Sequence, residues 1–194
     1  MKNLKIALTL FIICLICAAG ISGMYLLTNP IIEANTLETE LKTIQTIYEN
    51  YDQDKSSTID SGFSSEYITK KIIAKDSNGD DLGLVYTVTG KNAYGTITLI
   101  VAINNGNVYR VEFLENGQSF ASTVNSFLKG NFPSSKDSII EGGFVSDSTS
   151  FEGELPTDKV DSIDTSCGAT YGAKLIKELV NAAILDSKAN GEVK

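Results

Sequence analysis

The chain has 194 residues, a net charge of −8 at pH 7 and no histidine. So acidic a chain argues against nucleic-acid recognition, which rests on a basic face. The absence of histidine excludes histidine-based triads, imidazole haem ligation and most histidine-containing metal sites. Of the three cysteines, Cys14 and Cys17 lie in an apolar run and Cys167 stands alone. The sequence therefore predicts no internal disulfide, no cysteine-ligated iron–sulfur cluster and no metal site in the soluble part.

The first element is an apolar run over residues 6–27 that carries no charged side chain. As a helix it spans about 33 Å, against roughly 30 Å for the hydrocarbon core of a bilayer, so we predict a single transmembrane helix. Lys2 and Lys5 precede the run, and Glu33 and Glu38 follow it. This asymmetry predicts a cytoplasmic N-terminus and an extracytoplasmic main domain. A cleaved signal peptide is the alternative, but the length of the run favours an uncleaved anchor.

The next segment, residues 29–66, is predicted to link the membrane to the domain. Pro30 suits the first turn of a second helix, and apolar residues from Leu37 to Tyr51 follow at helical spacing. Residues 52–65 are polar and are typical of a loop. The predicted organisation is therefore 1–28 for the N-terminal end and membrane helix, 29–66 for the link, 67–187 for the main domain and 188–194 for a polar tail.

From residue 67 the pattern changes to strands, which are predicted at 67–75, 84–89, 96–103 and 108–114. Asn78-Gly79 and Asn105-Gly106 lie between successive strands and are typical of tight hairpin turns. A short helix is predicted at 118–128, a surface segment at 131–156 and a longer helix from Tyr171. The fold class predicted is α+β, an antiparallel sheet with flanking helices, preceded by one transmembrane helix.

The stretch that carries chemistry runs from Asp164 to Thr170, directly before the last helix. Gly168 and Ala169 have little or no side-chain bulk, so a ligand can approach the backbone there. Thr170 stands where the helix begins, and the unpaired N–H groups of a helix N-terminus stabilise a phosphate. The alternative is an ordinary helix start with Thr170 or Ser166 as the cap.

Asp164-x-x-Cys167-Gly168-Ala169-Thr170 resembles the flavinylation motif D-x-x-S-G-A-T of the FMN-binding domain family. That family includes RnfG of the Rnf electron transport complex and a related component of the sodium-pumping NADH:quinone reductase. The resemblance implies that a flavin transferase links FMN to Thr170 by a phosphoester. It departs at Cys167, where serine is usual, and at Gly172, where serine or threonine is common. The remaining cofactor-binding residues it implies are Asp164, Ser166, Cys167, Gly168, Ala169 and Tyr171.

Two other stretches carry the same resemblance. Tyr94-Gly95-x-Ile97 before the second hairpin is similar to the G-Y-x-G-x-I segment of the family, and Thr28-Asn29-Pro30-Ile31 is similar to the join that follows the membrane helix in RnfG sequences. The loop at residues 115–120 departs from the usual E-T-P-G. From the residues alone, this loop is as readily a plain turn as a flavin-facing loop.

The function that the resemblance implies is electron transfer by covalently bound FMN in a membrane complex. Such a complex couples electron flow between ferredoxin and NAD to Na+ or H+ export, and its membrane and cluster-bearing subunits would be the partners. The chain itself is predicted to carry the flavin without catalytic residues or turnover of its own. The alternatives are another membrane-anchored extracytoplasmic flavoprotein electron carrier, or a non-enzymatic surface-anchored module.

Overall fold

A computed structural model of the chain describes residues 2–134 and 153–189. The chain divides after Leu41 into two compact units. Of the predictions above, the tail from residue 190 and most of the surface segment at 131–156 lie outside the described residues.

A single long helix, α1, spans Lys2–Ile47. Within the part of the chain that the structure describes, it is the one helix long and apolar enough to cross a membrane. The second helix predicted to start at Pro30 is wrong, because α1 continues through that residue. Proline removes only one backbone hydrogen bond from the helix. Before it, the Thr28 hydroxyl donates to the Met24 carbonyl at 2.9 Å, and across it, Asn29 Nδ2 donates to Glu33 Oε1 at 2.6 Å.

The second unit is built on a six-stranded sheet in which sequential neighbours pair antiparallel throughout. This arrangement, with flanking helices, confirms the predicted α+β class. The strands are β1 (Ser57–Ile59), β2 (Ile68–Lys75), β3 (Asp81–Asn92), β4 (Gly95–Asn104), β5 (Asn107–Asn116) and β6 (Leu155–Pro156). The helices are α2 (Ala121–Asn131) and α3 (Thr170–Ala189), with a 3-10 turn at Val160–Ser162.

The hairpin turns lie where they were predicted. Asn105 and Gly106 have positive φ angles of 49° and 79°, as a tight turn between twisted strands requires. Two short edge strands were not predicted: β1 lies in the segment expected to be a loop, and β6 in the segment expected to be surface. Strands of three and two residues are too short to show alternation, so only their pairing with β2 and β5 defines them.

Both faces of the sheet are covered. Leu99 and Val101 point towards α2 and α3 in the larger apolar cluster, whereas Ile100 and Ala102 belong to a second cluster with Ile44 from the last turn of α1. Because successive strand residues point to opposite faces, two covered faces explain why β4 has a nearly continuous apolar sequence.

Helix α3 is tied to the sheet near both ends. Near its C-terminal end, the buried Asp186 accepts hydrogen bonds from the N–H and hydroxyl of Ser64 at 2.9 and 3.0 Å, and its other oxygen lies 3.9 Å from Lys71 Nζ. At its N-terminal end, Asn92 Nδ2 donates to the Tyr171 carbonyl at 3.2 Å. These contacts place the start of α3 beside the β3–β4 turn.

Candidate functional site

A cleft of about 220 Å³ lies at the N-terminal end of α3. Three separate segments form its walls: the β3–β4 turn, the loop after β5 with the first turn of α2, and the chain entering α3. The lining residues are Tyr94, Gln118, Phe120, Val124, Gly168, Ala169, Thr170, Tyr171 and Gly172. The loop at 115–120, which the sequence left open between a plain turn and a site loop, therefore contributes two residues to this cleft.

The start of α3 leaves its first-turn N–H groups available to a ligand. The Ala169 carbonyl accepts the N–H of Ala173 at 3.0 Å, which makes Ala169 the cap residue. Alanine has no side-chain acceptor, so the cap itself satisfies none of the free N–H groups. Thr170 is the first helical residue, and its hydroxyl donates backwards to the Cys167 carbonyl at 2.7 Å. Neither Thr170 nor Ser166 occupies the cap position that the alternative interpretation gave them.

The motif loop, residues 164–169, is shaped by its first residue. Asp164 Oδ1 accepts the N–H of Ser166 at 2.9 Å, and the N–H of Cys167 donates to the Thr165 carbonyl at 2.9 Å. The hydrogen bonds from Ser166 hold the pKa of Asp164 below its ordinary value, with a smaller contribution from the Lys177 charge. Asp164 is exposed and outside the cleft lining, so its role in this geometry is to form the turn.

The predicted site residues fall into two groups. Gly168, Ala169, Thr170 and Tyr171 line the cleft, whereas Asp164, Ser166 and Cys167 lie in the loop that leads to it. Cys167 is half-buried and packs against the larger apolar cluster.

Five lining residues were absent from the predicted set: Tyr94, Gln118, Phe120, Val124 and Gly172. The sequence did hold a signal for two of them. Tyr94 precedes β4 and Gln118 follows β5, and in an antiparallel pair the start of one strand and the end of the next lie at the same edge of the sheet.

The wall opposite α3 is packed backbone to backbone. Gly95 has a φ of 141°, and a Cβ added there would lie 2.0 Å from the Gly117 carbonyl oxygen, so only glycine fits. Gln118 is buried behind this contact and donates through Nε2 to the Gly95 carbonyl at 2.6 Å. Because only the amide nitrogen can donate, this bond fixes which way the amide of Gln118 faces.

Close packing explains why position 172 holds glycine, where the motif that the sequence resembles commonly has serine or threonine. A Cβ added at Gly172 would lie 2.6 Å from Val124 Cγ2, well inside van der Waals contact. Val124 is fully buried on the first turn of α2. The close approach of α2 to α3 therefore favours glycine here over a residue with a side chain.

Comparison with known protein families gives two matches. Residues 2–47 match the RnfG N-terminal region, which coincides with α1, and residues 93–185 match the FMN-binding domain, which contains every residue that lines the cleft. No curated protein matches the chain. The chain belongs to the FMN-binding domain family and is an RnfG-like FMN-binding subunit.

Proposed function

We propose that FMN is joined to Thr170 by a phosphoester and that the subunit passes electrons within a membrane-bound Rnf-type complex. The observation that carries the proposal is that Thr170 lines the cleft, at a helix N-terminus, inside the matched FMN-binding domain. A flavin transferase would make the ester from a flavin donor activated as a phosphoanhydride: the Thr170 oxygen loses its proton and bonds to the flavin phosphorus, the anhydride bond breaks, and the other phosphate group leaves. Bound FMN supplies the redox chemistry, while the protein supplies attachment and surroundings.

The residues at the helix start fit a phosphate. Esterification replaces the proton of the Thr170 hydroxyl, so the hydrogen bond to the Cys167 carbonyl would be lost on attachment. The phosphate oxygens would instead accept from the free N–H groups of the first turn and lie at the positive end of the helix dipole. Gly168 precedes the attachment point, is exposed and has no side chain, which leaves the backbone accessible there.

The size of the cleft fits a partly enclosed cofactor. Sites that enclose a drug-sized ligand have volumes of roughly 300–1,000 Å³, and this cleft has about 220 Å³. It can therefore hold the phosphate end of FMN, with the rest of the flavin at the mouth. A ring in that place is open to an electron donor or acceptor, as expected of a carrier with no turnover of its own.

The match to the RnfG N-terminal region favours the Rnf-type complex over another anchored flavoprotein carrier, and the match to the FMN-binding domain disfavours a module without a cofactor. Within this proposal, the complex couples ferredoxin:NAD electron transfer to Na+ or H+ translocation. Its other membrane and cluster-bearing subunits are the partners. The domain assigned to residues 67–187 faces outside the membrane, and α1 anchors it.

Attachment is tested by Thr170→Ala, Thr170→Ser and the control Thr165→Ala, each co-expressed with a flavin transferase. The intact mass of the Thr170→Ala protein should lack one FMN, and its fluorescent band on a denaturing gel should disappear. Thr170→Ser keeps a hydroxyl and should retain at least partial labelling. Thr165→Ala removes a hydroxyl from the same loop and should be labelled like wild type. Covalent flavin on the Thr170→Ala protein would refute the assignment.

Orientation is tested with a protease added to intact spheroplasts. Because cationic residues precede the apolar run and acidic residues follow it, Lys2 should be inside and Thr170 outside. The protease should therefore digest the domain at 67–187 without lysis. Protection of the domain until the spheroplasts are lysed contradicts this orientation.

A further inference from the structure

Exposed aromatic side chains are concentrated at the mouth of the cleft. In the described part of the second unit (residues 42–134 and 153–189), the large apolar side chains classed as exposed are Ile59, Tyr94, Phe120, Tyr171 and Leu185. Tyr94, Phe120 and Tyr171 all line the cleft, although they come from three separate segments. Their exposed fractions are 43%, 56% and 63%. Exposed apolar groups gathered at one place mark a binding surface rather than chance exposure.

Two of these rings already face each other. The ring centroids of Tyr94 and Tyr171 are 5.4 Å apart and their planes are inclined by 36°. This separation lies within the 4.5–7 Å range of interacting aromatic pairs. The tilted pair, with Phe120 in the same lining, forms an aromatic rim next to Thr170.

The backbone beneath the aromatic rim is held by hydrogen bonds. Asn92 Oδ1 accepts the N–H of Tyr94 at 2.8 Å, and Asn92 Nδ2 donates to the Tyr171 carbonyl at 3.2 Å. The Tyr94 carbonyl accepts the N–H of Ser119 at 3.1 Å, which ties down the loop that carries Phe120. The rim is therefore pre-organised, and aromatic side chains lose little conformational entropy on binding.

We infer that the aromatic rim of Tyr94, Phe120 and Tyr171 binds the isoalloxazine ring of FMN, an inference that rests on the proposed function. The occupant follows from the neighbouring residues, since Thr170 lies beside Tyr171 and the cleft takes only part of the cofactor. Isoalloxazine is a flat aromatic body with polar edges, the shape that offset or tilted aromatic stacking favours. The rim orients the ring and covers part of it, and the rest of the ring stays open to a partner.

The experiment compares full-length wild type with Tyr94→Leu, Tyr171→Leu and the double variant, all in detergent. Flavin content is measured by intact mass, and the flavinylated fraction is then examined by fluorescence lifetime and visible circular dichroism. Tyrosine in contact with a flavin quenches its fluorescence. The wild-type lifetime should therefore be short and should rise several-fold in the double variant, with loss of the visible dichroism. Leu185→Ala removes an equally exposed side chain near the other end of α3 and should change neither signal.

A double variant with full flavin content and wild-type lifetime and dichroism overturns the inference. If the leucine variants carry no flavin, Tyr94→Trp decides: a shorter lifetime than wild type supports the rim, and an unchanged lifetime overturns it. Wild type without covalent flavin refutes the proposed attachment separately. Free FMN is then titrated into the protein, and saturable quenching that the double variant loses supports the rim. The absence of such quenching in wild type overturns it.

Discussion

Gly172→Ala should have opposite effects on the stability of the fold, depending on whether position 124 holds valine or alanine. In wild type, the Cβ of Gly172→Ala would lie 2.6 Å from Val124 Cγ2 and must move by nearly 1 Å to reach ordinary contact. A valine side chain has one strongly preferred rotamer in a helix, so it cannot turn away. Overpacking of this kind costs about 1–3 kcal/mol, while alanine in place of a helical glycine contributes about 1 kcal/mol. We expect Gly172→Ala to destabilise wild type by about 0–2 kcal/mol.

The same substitution should stabilise a protein that carries Val124→Ala. That change alone removes two buried methyl groups and should cost about 2 kcal/mol, including the cavity it leaves. With the methyl groups gone, the Cβ at position 172 meets no obstacle on α2, and only the helix-propensity gain of about 1 kcal/mol remains. The coupling energy between the two sites should therefore be about 1–3 kcal/mol.

The measurement is a double-mutant cycle on the full-length protein in detergent, with urea unfolding followed by tyrosine fluorescence. The chain has no tryptophan, so its eight tyrosines report the transition. Gly168→Ala is the matched control, because a Cβ there has its nearest neighbour, Thr123 Cγ2, at an ordinary 3.7 Å. It should show no coupling to Val124→Ala. Equal effects of Gly172→Ala in both backgrounds would refute the close packing of α2 on α3.

Two further substitutions test the loop and the far end of α3. Asp164→Asn keeps an oxygen for the Ser166 N–H, so it should be flavinylated like wild type if the side chain only shapes the turn. Asp164→Ala removes that oxygen and should reduce flavinylation. Loss of flavinylation in both variants means that the negative charge itself is needed. Because folding lowers the pKa of Asp164, its carboxylate stabilises the folded state fully above the unfolded pKa of about 3.9, and this stabilisation is lost as the pH falls through the lower, folded pKa. Asp186→Ala removes the acceptor of the two Ser64 hydrogen bonds and the carboxylate of the buried pair with Lys71, and should cost about 3 kcal/mol in urea unfolding. A change within experimental error would contradict the buried pair.

The features predicted well from the sequence are those that local chemistry determines. Asn-Gly at the hairpin tips and alternating β-branched residues specify the turns and strands without reference to distant parts of the chain. The continuity of α1 through Pro30 was not predictable in this way. A long helix can lose one hydrogen bond and persist, so the proline rule alone could not decide.

The site was predicted only where its residues are contiguous. Gly168, Ala169, Thr170 and Tyr171 are neighbours in sequence and line the cleft together. Val124 belongs to the cleft only because α2 packs on α3, a tertiary contact that no local pattern reports. The need for glycine at position 172 has the same origin, since the obstacle to a side chain is a residue 48 positions away in the sequence.

The proposed place of attachment and the proposed surroundings of the ring depend on different structural features of the cleft. The β3–β4 side of the cleft is defined by backbone, with Gly95 against the Gly117 carbonyl, and the start of α3 by Gly172 against Val124. Neither contact involves the exposed side chains of the aromatic rim. Changes at Tyr94 or Phe120 should therefore alter how the flavin is stacked without altering where its phosphate is held. Changes at Gly172 should disturb the start of α3 itself. We therefore expect substitutions at Gly172 to lower the flavin content, and substitutions at Tyr94 or Phe120 to alter the flavin spectra.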